Sequence, residues 1–133
     1  MAFLLRPGHG PNCFLQQSSR TFANLGAAFV EVNNADRVIV DLRGFRIVEA
    51  WTFVSVAGVS GVLRLEYATT IPLVWNTLSG DVPLSAVGPQ RCPIHIPIPA
   101  GALTNAVLVR MVGGLGNGTE DPQVMGTSFE LIP

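Results

Sequence analysis

Asn117, Glu120 and Asp121 crowd into one short stretch, "GGLGNGTEDPQ" at residues 113–123. Their side-chain oxygens are of the type that binds calcium, but calcium takes six to eight oxygens and three side chains are at hand. A phosphate loop would need Gly-x4-Gly-Lys-Ser/Thr leading into a helix, and the chain has no lysine. "NGT" at residues 117–119 matches the glycosylation acceptor pattern, with no secretory leader read at the start of the chain. Asp81 with Glu120 or Asp121 would make a carboxylate pair for glycoside hydrolysis, although solvated turn acids are the plainer reading. His9 and His95 are the only histidines, and no serine or acid in sequence forms a recognisable triad with either. "GVSGV" at residues 58–62 lacks the Gly-x-Ser-x-Gly spacing of a nucleophile elbow. The expectation is therefore a protein that is not an enzyme, with no catalytic residues, no metal and no cofactor. The stretch at 113–123 reads as a long hairpin turn, with Asn117–Gly118 supplying the two residues at positive φ.

Aromatic rings offer a second kind of chemistry. Trp51, Trp75 and Tyr67 could stack on sugar rings. Trp51 sits in an apolar run and reads as core. Trp75, in "VWNT" near a strand end, is the better exposed candidate, so the carbohydrate-binding alternative rests on Trp75. Cys13 and Cys92 are far apart and in no metal-ligand spacing; they permit one disulfide without implying it.

The elements that would position these residues are strands. Period-two alternation recurs at "AAFVEV" (27–32), "RVIVDL" (37–42), "FRIVEAWTFVSVA" (45–57), "VLRLEYA" (62–68), "LVWNTL" (73–78), "VPLSAV" (82–87), "AVLVRMV" (106–112) and "QVMGTSFELI" (123–132). In residues 62–68 the pattern points Leu63, Leu65 and Tyr67 inward, and Arg64 and Glu66 outward. Residues 45–57 are apolar on both faces, as in a central strand covered on both sides. "CPIHIPIP" (92–99) alternates isoleucine with proline, and proline cannot donate to a ladder, so this stretch reads as an edge. Short strands at regular spacing predict an all-β fold, an antiparallel β-sandwich of jelly-roll type, with an Ig-like Greek key as the other topology. Residues 1–26 are punctuated by Pro and Gly with no sustained period. They read as an irregular N-terminal arm before a sandwich domain at 27–133.

Composition narrows the function classes. The chain has 133 residues, enough for one domain with its own core. Charged residues are 13%, against about 25% in ordinary soluble domains, while apolar residues are 48%. Too little charge is available to cover the outside, which points to surface covered by other chains. The net charge is −1, and the eight basic residues, all arginine, are scattered. That argues against nucleic acid, which needs a clustered basic patch. The longest uncharged apolar stretch, residues 50–63, is shorter than the roughly 20 residues that span a bilayer. The reading is a protein made in a cytoplasm with no membrane partner.

The order "VLRLEYATT…LVWNTL…VPL…IPIPAGALTNAVLVRMVGGLGNGTEDPQVMGTSFELI", roughly residues 62–132, resembles small β-sandwich proteins of tailed-bacteriophage virions, the capsid cement or decoration type. The shared features are turn motifs. The resemblance implies a non-enzymatic protein on the capsid surface that clamps neighbouring capsid subunits, with itself (as a homotrimer) and the major capsid protein as partners. The contacts would come from the arm, through Phe3, Leu4, Leu5, Phe14 and Phe22, and from the proline-rich edge, through Pro93, His95 and Pro97. Apolar residues outside any regular element would each forgo about 1.5–3 kcal/mol if left in water. The arm therefore packs on a neighbour or the capsid, or else folds back along its own sandwich as a first strand.

Overall fold

The computed structural model of the chain describes residues 4–5, 12–41, 46–69, 71–94 and 106–132. Among the described residues eleven strands lie in two sheets: β1 (Leu4–Leu5), β2 (Asn12–Gln16), β3 (Arg20–Thr21), β4 (Val38–Asp41), β5 (Arg46–Val56), β6 (Val62–Ala68), β7 (Asn76–Thr77), β8 (Val82–Pro83), β9 (Gly88–Cys92), β10 (Ala106–Gly114) and β11 (Gln123–Ile132). A 3-10 turn, Asn34–Asp36, precedes β4, with the Asn33 side chain accepting from the Ala35 amide at its start.

One sheet runs β1-β4-β10-β6-β7, with β8 also paired to β6; the other runs β2-β11-β5-β9, with β3 also on β11. All pairs are antiparallel except β1 with β4. The pairs β2·β11, β4·β10, β5·β9 and β6·β8 nest one inside the next along the chain. That is one long hairpin, rolled so that β11 also meets β5 and β10 also meets β6. An eight-stranded sandwich wound this way is a jelly roll, and the Ig-like order is excluded.

Alternation explains the packing. In β6, Leu63 and Leu65 are fully buried and Tyr67 packs against the core, as the period-two pattern predicts. Val38, Val40, Val107 and Val109 join them from the same sheet. Cys13, Leu15, Ala50, Val54, Val124, Phe129 and Leu131 face them from the other. In β11 the ladder to β5 shifts between Met125 and Ser128, and Gly126 takes a φ of 71° there. Such a bulge breaks ladder bonds. The buried Gln16 side chain fills the break: it accepts from the Thr127 amide at 2.6 Å and donates to the carbonyls of Val124 and Ser18. Thr127 meets Thr52 hydroxyl to hydroxyl at 2.8 Å.

Four expectations change. Residues 12–21, read as part of an arm, form β2 and β3 inside the five-stranded sheet, and Phe22 is 2% exposed in the chain's own core. The described part of the arm thus follows the alternative of a first strand: Cys13 and Leu15 point inward and bury apolar surface that a free arm would leave wet. Residues 27–32 form no strand; Val30 makes a single bridge to Gly113. The predicted edge at 92–99 begins earlier, as β9, with Ile94 bridged to Ser79 and residues 95–99 outside the described set. Finally, 113–123 is no hairpin. β10 and β11 belong to different sheets, so this loop arches over the end of the sandwich.

Candidate functional site

The arch at 113–123 is held by one carboxylate. Glu120 is 5% exposed and accepts from the amides of Val59, Ser60, Gly61 and Asn117, at 2.7–3.3 Å, and from the Ser60 hydroxyl at 3.0 Å. Burial by itself would raise its pKa, but the Asn117, Gly61, Val59 and Ser60 amides outweigh it and bring it down to about 2. The Asn117 side chain accepts from the Thr119 amide and hydroxyl, both at 2.9 Å, and Asp121 accepts from the Asn24 amide at 2.7 Å. The positive φ values fall at Leu115 and Gly118, not at Asn117. The oxygens that looked like calcium ligands are thus engaged with the protein's own donors. Asp81 belongs elsewhere, paired with Arg64 at 2.7 Å. Among the described residues no group of three His, Cys, Asp or Glu side chains is placed to hold a metal ion.

A second cluster covers the outer face of the six-stranded sheet. Arg37, just before β4, and Arg110, in β10, pair with Glu31 at 2.8 and 3.3 Å, and Arg110 also pairs with Glu66 at 2.7 Å. The Trp75 ring lies over both guanidiniums, 5.0 Å from Arg37 and 4.1 Å from Arg110. Arg64 lies 4.0 Å from the Phe29 ring. Cation–π contacts of this kind fasten the loops carrying Trp75 and Phe29 to the sheet. Trp75 is therefore half-buried and engaged, not the free stacking surface the sequence suggested.

The exposed rings are on the other sheet. Strand registers place Phe14, Ser128, Trp51 and Arg91 in one row across β2-β11-β5-β9, and Met125, Phe53 and Pro89 in the next. Phe14, Trp51, Phe53 and Met125 are 38–42% exposed, high for side chains of this size inside a sheet. Their strand neighbours Cys13, Thr52, Val54 and Val124 face the core, so the pleat forces these four outward. Trp51 is held in place: its indole N–H donates to Glu49 at 2.7 Å, and Arg91 stands 3.9 Å from the same carboxylate. By sequence Trp51 reads as core because it sits in an apolar run. The structure buries one face of β5 and leaves Trp51 and Phe53 on the open one. Sequence carried the signal only as a strand apolar on both faces.

Of the remaining sequence candidates, Leu4 and Leu5 form β1 beside β4, and Pro93 is exposed just after β9. Phe3, His9, His95 and Pro97 lie outside the described residues. Among the described residues no helix is long and apolar enough to cross a membrane. At the end of the six-stranded sheet, Ile39, Ala68, Ile71, Leu73 and Leu108 line an apolar cleft of about 250 Å³. The aromatic face of the five-stranded sheet can make broad apolar and ring contacts, with Glu49, Glu130 and Arg91 beside them. No family model, curated protein or solved structure matches this chain.

Proposed function

We propose that this chain is a non-enzymatic structural module that assembles with copies of itself and with a protein lattice, as capsid cement or decoration proteins do on a virion surface. The observation that carries the reading is the open face of the five-stranded sheet. Phe14, Trp51, Phe53 and Met125 stand together there on a rigid β surface. Contiguous apolar patches rimmed by polar groups are the usual mark of an interaction site. The low charge content of the chain supports the same reading. A jelly roll is well suited to the task, because its two hydrogen-bonded layers hold the contact residues without adjustment. Several modest contacts of this sort add by avidity on a lattice.

Two measurements test it. Light scattering after size exclusion should return a multiple of 14.1 kDa at micromolar concentration. Quantitative mass spectrometry of purified particles should find the chain in fixed ratio to the major capsid protein. A monomer that is absent from particles overturns the proposal.

The exposed Trp51 also favours a second reading, a carbohydrate-binding face, now on Trp51 and its neighbours in place of Trp75. The fixed indole with Glu49 and Arg91 beside it is the arrangement that stacks and hydrogen-bonds sugars. A glycan array that gives a signal with the wild type, lost in Trp51→Ala, supports this reading against the first.

A further inference from the structure

We infer that the open face of the five-stranded sheet is a two-fold contact with a second copy of this chain, the axis running parallel to the strands between β11 and β5. This rests on the self-association reading and names its surface and symmetry. The row Phe14–Ser128–Trp51–Arg91 decides the geometry. Rotation about that axis sets Phe14 of one copy against Arg91 of the other, a ring against a guanidinium. It sets Trp51 against Ser128, a large side chain against a small one. In the next row it sets Met125 against Phe53, a thioether against a ring. Each side of the axis thus carries the complement of the other, which is what an isologous interface requires.

An axis running across the strands along this row fails on the same residues. It would set Arg91 against Arg91 and Phe14 against Phe14. Along the chosen axis the like-charged residues that meet are Glu49 and Glu130. They lie at the end of the face, where Arg91 stands beside Glu49 and water screens the pair.

Size is consistent with a second copy. Four strands about 4.8 Å apart, with 11 residues in β5, 10 in β11 and 5 each in β2 and β9 at about 3.4 Å per residue, present roughly 500 Å² per copy. The pair buries roughly 1,000 Å², near the least that a specific interface needs. The contact is therefore weak alone, and association should titrate over micromolar concentrations. A two-fold contact makes dimers, so it departs from the trimer that the sequence resemblance implied.

The test is sedimentation velocity over a concentration series, with the full chain. The wild type should move toward twice 14.1 kDa as concentration rises. Trp51→Glu and Met125→Glu should each stay at the monomer mass, with the wild-type circular dichroism spectrum showing that the fold is kept. Ile71→Glu, a 96% exposed side chain at the rim of the cleft on the other sheet, should dimerise as the wild type does. A covalent check uses Phe14→Cys with Arg91→Cys in one chain. Those positions are three strands apart within a copy, about 14 Å, beyond disulfide reach. Mild oxidation should give a covalent dimer on a non-reducing gel, and Phe14→Cys alone should not.

An oligomer that survives both Glu substitutions, or a trimer mass, overturns the two-fold contact while leaving self-association standing. A wild type that stays monomeric throughout overturns both, including one that binds glycans through Trp51.

Discussion

Cys13 and Cys92 lie in a single row on the inner face of the five-stranded sheet, with Phe129 and Ala50 between them. Three strand spacings separate them, about 14 Å, whereas a disulfide needs Cα atoms within about 7 Å. Both thiols are free and buried, and burial pushes each pKa up to about 12. The expected result is that native protein leaves both thiols unmodified by a thiol reagent at pH 8, while denatured protein yields two. Reducing agent should leave the melting temperature unchanged.

Glu120 should make stability depend on pH in the acid range. Its folded pKa of about 2 lies below the ordinary value of 4.5. The unfolded chain therefore binds the proton first as pH falls, and acid favours unfolding. The Glu120 contribution is fully present above about pH 5 and is lost between there and about pH 2. Thermal melts of the wild type and Glu120→Gln should differ most at neutral pH and converge near pH 2. At pH 7 the substitution should cost about 3 kcal/mol, since several amides lose a charged acceptor.

In the arch, glycines should matter more than the Asn-Gly pair suggested. A Cβ at Gly116 would run into the Leu25 carbonyl, which belongs to the backbone and cannot move aside cheaply. The Gly116 and Gly118 amides also donate to Gly26 and Leu25, fixing the loop path. Gly116→Ala should destabilise by about 2 kcal/mol or more. Gly118→Ala, with open space but a φ of 86°, should cost about 1 kcal/mol. Leu115→Gly should be tolerated, because Leu115 already sits at a φ of 55°. Urea melts of the three variants give the ranking directly.

Trp75→Ala should lower stability rather than binding. It removes the ring over Arg37 and Arg110, for an expected loss of about 2 kcal/mol. A glycan array or mass measurement on Trp75→Ala should match the wild type, while the same substitution at Trp51 should not.

The strand pattern was legible where one face of a strand is buried and the other polar. Residues 62–68 alternate Leu63, Leu65 and Tyr67 against Arg64 and Glu66, and β6 has those limits and that inward face. Residues 123–132 likewise became β11. Alternation failed where polarity and burial part company. In β2 the inward positions include Gln16, a polar residue buried because it completes a broken ladder, so the segment read as irregular.

The candidate site was half legible. The sequence marks Phe14 as a contact residue and residues 45–57 as apolar on both faces. That Trp51 faces out and Trp75 is tied down could not be read from either tryptophan's neighbours. Trp75 owes its place to Arg37, just before β4, and Arg110, in β10, which are far apart along the chain and brought near by the β4·β10 pairing.

The sequence by itself determined that this chain is an all-β sandwich with too little charge for its surface, because side-chain period and composition are local and additive quantities. The tertiary structure alone decided that the sandwich is a jelly roll, that the loop at 113–123 crosses between sheets, and that Phe14, Trp51, Phe53 and Met125 meet on one face. Those outcomes depend on which strands pair and in what register. Pairing is a relation between distant segments, and a one-residue shift in register would have turned each of these side chains to the other face.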